Sequence, residues 1–95
     1  MIPCLYRWRR SGLNLDLVKV GEIPFAPRKV ATVGISDIEF RVENQKWDDQ
    51  LGILELEVEA LWGEDQTDDE LAQRLVYSGW MRHTDWISSI LAKKN

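Results

Sequence analysis

The chain has 95 residues, 44% hydrophobic and 29% charged, so it carries too much apolar surface to stay disordered and too little length for a second core. No apolar run approaches the roughly 18 to 20 residues that span a bilayer, Cys4 as the only cysteine excludes an intramolecular disulfide or a multi-thiolate zinc site, and the arginines following Met1 to Leu5 reverse the order of a secretory signal. The net charge of −4 is uneven, with +4 over residues 1–30 and −8 over residues 31–95, so either the basic segment folds back on the acidic body or the two ends meet different partners.

In chain order, the first feature is the basic arm Tyr6-Arg7-Trp8-Arg9-Arg10, which as a strand would set Arg7 and Arg9 on one face and Cys4 and Trp8 on the other. Leu13 to Val20 reads as a strand ended by Gly21, and Pro24 and Pro27 interrupt pairing after it. Val30 to Ile35 continues toward Ile38, Phe40 and Val42, but its apolar residues Val33 and Ile35 are odd-numbered. A bulge or a break near Gly34 to Asp37 is therefore required. Ile38 to Val42 alternates with Asp37, Glu39, Arg41 and Glu43, and Leu54, Leu56, Val58 and Ala60 alternate with Glu55, Glu57 and Glu59. These runs form a β-hairpin around a loop at 44–50.

The period then changes. Thr67-Asp68-Asp69-Glu70 is a capping box ahead of Leu71, Leu75 and Val76, which predicts a helix over 68–78. Gly79 weakens it, Thr84-Asp85 offers a second N-cap before Trp86, Ile87, Ile90 and Leu91, and Lys93 and Lys94 suit a helix C-terminus. Whether 68–93 is one helix or two stays open. The expected architecture is one α+β domain over residues 1–95, a small antiparallel sheet of three or four strands whose apolar face is covered by one or two C-terminal helices.

Candidate chemistry is sparse. His83 stands near Asp85, yet residues two apart on a helix face different directions, and no serine elbow or second histidine completes a catalytic set. The acids Asp48-Asp49, Glu64-Asp65 and Asp68-Asp69-Glu70 lack the spacing of a calcium loop, and acids in a first helical turn already answer the helix dipole. The glycines are isolated, with no phosphate-cradling pattern. The reading is no catalytic residue, no metal, no cofactor and no support for an enzyme.

The surfaces are more informative. Glu55, Glu57 and Glu59 facing Glu39 and Glu43 across the hairpin would repel one another, so this face wants cations, from Arg7 to Arg10, Lys19, Arg28 or Lys29, or from a basic partner. Five tryptophans in 95 residues exceed what so small a core needs; Trp47 in the hairpin loop and Trp80 at the helix break are the expected exposed anchors, while Trp62 and Trp86 follow core faces. We therefore expect a small cytoplasmic adaptor, inhibitor or assembly subunit that docks on a protein with a basic surface through Glu39, Glu43, Glu55, Glu57, Glu59, Trp47 and Trp80. Homodimer formation is a common remedy for so small a core. Two alternatives stand beside this: a small-ligand site for an aromatic or cationic molecule between sheet and helices, and nucleic-acid binding through Arg7, Trp8, Arg9 and Arg10, which the acidic body opposes.

Overall fold

The structure is a computed structural model and describes residues 1–27, 31–61 and 67–94. Six strands form one mixed sheet: β1 (Ile2–Arg10), β2 (Leu15–Ile23), β3 (Thr32–Ile35), β4 (Ile38–Asp48), β5 (Ile53–Ala60) and β6 (Met81–Arg82), in the order β3-β4-β5-β1-β2-β6. Helices α1 (Asp68–Tyr77) and α2 (His83–Lys94) complete it. The sheet with C-terminal helices is as expected; its size and direction are not. The expected three or four antiparallel strands become six, because the basic arm is itself a strand, β1, and pairs in parallel with β5, Cys4 opposite Leu54 and Arg7 opposite Glu57. Every other pairing is antiparallel.

The alternating patterns decide the faces. On the front face Cys4, Tyr6 and Trp8 of β1 join Leu17, Ile35, Ile38, Phe40, Val42, Leu54, Leu56 and Val58 in one buried cluster, covered by Leu71, Ala72 and Leu75 of α1 and by Trp80. On the back face Leu5, Val18 and Ile53 meet Trp86 of α2, with Ile87 and Ile90 alongside. The helices therefore lie on opposite faces, which corrects the expectation that both cover one. Two helices form because Gly79 sits at φ +99, closing α1 with Ser78 and Gly79 before β6 and redirecting the chain across the sheet edge. The capping box works at the start of α1, where Thr67 accepts a hydrogen bond from the Glu70 amide.

The phase problem between Val33/Ile35 and Ile38/Phe40 is solved by a turn. Ser36 and Asp37 both have positive φ, 55° and 64°, the twist of a two-residue type I′ hairpin. Ile35 pairs Ile38 and Val33 pairs Phe40, so odd and even residues share a face. The bulge falls elsewhere, at Glu43, between the pairs Val42–Val58 and Asn44–Glu57. The strand also continues through Asp48, so 44–48 is strand where a loop was expected, and the turn narrows to Asp49–Gly52.

Candidate functional site

The expected acidic row exists, but its charges are matched. Parallel pairing of β1 with β5 brings Arg7 to Glu55 at 3.2 Å, Arg9 to Glu57 and Arg10 to Glu59. Arg7 also forks onto Asp16 of β2 at 2.9 and 2.7 Å, and Arg10 reaches Asp68 at the start of α1. Opposite the row on β4 stand Arg41, Asn44 and Lys46, facing Glu59, Glu57 and Glu55. The bulge at Glu43 shifts the register by one and takes Glu43 out of the position opposite Glu57, while Glu39 lies beyond the row, bonded through its carbonyl to the Leu61 amide, so the expected juxtaposition of Glu39 and Glu43 with the β5 glutamates does not occur. Glu43 instead accepts hydrogen bonds from Arg41. The surface over Arg7, Arg9, Lys46, Glu55 and Glu57 is a shallow polar concavity in which the two signs alternate.

The aromatic anchors divide. Trp47 is 51% exposed, on the front side beside Leu54 near the β4–β5 turn. Trp80 is 2% exposed, its ring 5.6 Å from Phe40 and its indole N–H donating to Ser36 Oγ, so it is a core residue and not an anchor. Trp8 is fully buried beneath the Arg10 guanidinium, 5.1 Å from the ring centre. Trp8 is thus not presented to solvent, and Arg7, Arg9 and Arg10 each pair with a carboxylate. Trp86 is buried against β1 and β2. Trp62, Arg28, Lys29 and the Glu64-Asp65 pair lie outside the described residues.

The described residues also form an apolar groove. A groove of about 900 Å³ opens between α1 and the end of the sheet where β6 leaves β2 to begin α2. Its floor is Leu15 and Leu17, one wall is Val76 and Tyr77 of α1, the other is Arg82 and His83, and Leu13 closes one end. Helical spacing alone groups Val76 with Leu71 and Leu75 and so hides the groove. The buried stripe is Leu71, Ala72 and Leu75, and the signal available was that Val76 and Tyr77 fall one and two positions beyond it.

His83 finds its acid across the sheet. Its Nδ1 lies 3.9 Å from Asp16 Oδ2, while Asp85 makes no ion pair with it. Burial, with Arg7 adding to it, holds the imidazole below its ordinary range, partly opposed by Asp16 and Glu55. A neutral ring therefore lines the groove at neutral pH. Cys4 is buried, and burial pushes its thiol upward, which suits packing and not nucleophilic chemistry. Among the described residues no group of three His, Cys, Asp or Glu side chains converges as metal ligands, and no helix is long and apolar enough to cross a membrane. Comparison with protein-family models, with curated proteins and with solved structures finds no match in any of the three.

Proposed function

We propose that the chain is a protein-interaction module that receives an apolar segment of a partner protein in the groove between α1 and the β2–β6 edge. The observation that carries this reading is Tyr77, 94% exposed at the end of α1, standing with Val76 at 54% and Leu13 at 47% around the floor of Leu15 and Leu17. The inner stripe of α1 is already filled, so a further Val-Tyr pair held in water adds nothing to the helix's own packing. Several large apolar side chains around one concavity are the composition of a contact surface. The acidic row is the weaker dock, since its charge is matched by arginines and little field extends from it.

The experiment is affinity capture from the native host with three forms of the protein, the wild type, Val76→Asp and the acidic-face variant Glu55→Gln/Glu57→Gln/Glu59→Gln, followed by calorimetry with the purified partner. A partner lost by Val76→Asp and kept by the acidic-face variant supports the groove. The opposite pattern returns docking to the acidic face and its basic partner. A second reading shares the site, because 900 Å³ lies within the usual span of small-molecule pockets, roughly 300–1,000 Å³. It is favoured instead when a panel of aromatic and cationic compounds raises the melting temperature of the wild type but not of Val76→Asp, and no protein is captured.

A further inference from the structure

Resting on the groove as the docking site, we infer that the segment it receives carries an acidic side chain, recognised by Arg82. Arg7, Arg9, Arg10 and Arg41 are each held by a carboxylate, in a chain where acids outnumber cations sixteen to twelve. Arg82 makes no ion pair among the described residues, although it is exposed and free to find one. Its ladder partner is Leu17, so it stands on the same face as the groove floor, and it lines the groove wall.

The other charges of the groove do not answer it. Asp16 is the acid in the lining, and both its oxygens accept hydrogen bonds from Arg7, which also reaches Glu55, so its carboxylate is engaged by that guanidinium and makes no ion pair with Arg82. Burial keeps His83 in its neutral form at neutral pH. Asp85, three positions along in the first turn of α2, is outside the lining and makes no ion pair with Arg82. The groove thus presents, among the described residues, one guanidinium without a carboxylate partner beside an apolar floor. A carboxylate arriving on an apolar segment would accept two parallel hydrogen bonds from that planar fork, in surroundings less watery than the open surface. A lysine or arginine at the same position would meet only repulsion.

The test is selection of random linear peptides, fused through their C-termini to a phage coat protein so that only side chains supply carboxylates, on the immobilised full chain. The expected outcome is enrichment of apolar residues together with Asp or Glu, and a loss of about tenfold or more in affinity of those peptides for Arg82→Glu, the scale of one charge-assisted interaction. Selection on Arg82→Glu should return Lys or Arg in place of the acid. Equal thermal melting of the variant and the wild type checks the fold. Apolar peptides selected without an acid, or acidic peptides that bind Arg82→Glu as well as the wild type, overturn the role of Arg82 while leaving the groove in place. Peptides whose binding survives Val76→Asp, or a library that yields no binder, overturn the groove and this inference together.

Discussion

Gly21 sits where β2 passes the Tyr6 ring, and a Cβ there would stand 2.9 Å from Tyr6 Cε2. The ring is 9% exposed and has little room to retreat, so Gly21→Ala should cost about 1–3 kcal/mol, as overpacking does. Urea denaturation would read this as a lower midpoint, with Gly12→Ala, where a Cβ meets open space, as the near-neutral control. His83 gives a prediction in pH. Its depressed pKa means that the folded protein binds the proton less readily than the unfolded chain, whose imidazole titrates near its ordinary 6.5. The contribution of this group is complete above that value and is lost as pH falls below it. His83→Asn should flatten the acid-side decline of stability, and an NMR titration of the wild-type ring should give a midpoint under 6.5. A midpoint at or above that value would show that Asp16 outweighs burial.

At the level of elements, the β3–β4 turn holds two non-glycine residues in the left-handed region. The second position of a type I′ turn favours glycine, so Asp37→Gly should stabilise the protein by about 0.5 kcal/mol, the relief of strain being partly offset by a looser unfolded chain. A melting temperature that falls would place the Asp37 side chain in a contact that matters. The same hairpin shows what could be read in advance. The alternation of Ile38 to Val42 and of Leu54 to Ala60, and the capping box at Thr67, are local signals, and the strands and α1 follow from them. The odd-to-even switch at Ser36-Asp37 was visible as a break in phase. The parallel seam between β1 and β5 was not, because its partners lie about 50 positions apart, as in Arg7 and Glu55 with a separation of 48, and no periodicity within either strand specifies a neighbour. Two residues of β6 are too few to carry any pattern. The candidate site suffered likewise: Arg82 gains meaning only once β6 is placed beside Leu17.

For the whole molecule, the pair Leu56 and Glu57 separates core from charge ladder. Leu56 is fully buried, so Leu56→Asp places an unpaired carboxylate at a cost of several kcal/mol, comparable with the net stability of a small domain. Circular dichroism should show it unfolded. Glu57→Lys loses one partly exposed contact with Arg9, worth about 0–1 kcal/mol, and should stay folded; equal tolerance of both would overturn the assigned faces. The ladder has another consequence, in time instead of in strength. The sheet consists of two antiparallel units, β1–β2 with β6 at its edge and β3–β4–β5, joined by the single seam of β1 with β5, and the two units carry opposite charge excesses, +2 over residues 2–23 and −6 over residues 32–60. Each can zip from a short turn, but the seam closes a long loop and is the slow event. Arg7 and Arg9 facing Glu55 and Glu57 make the two units attract as they meet, so the refolding rate should fall with added salt while the unfolding rate changes little. Stopped-flow chevrons at two salt concentrations would show this, and a salt effect confined to unfolding would mean that the seam charges meet only after the barrier. On that account the uneven distribution of charge along the chain acts as an assembly signal, guiding two separately formed halves into one register.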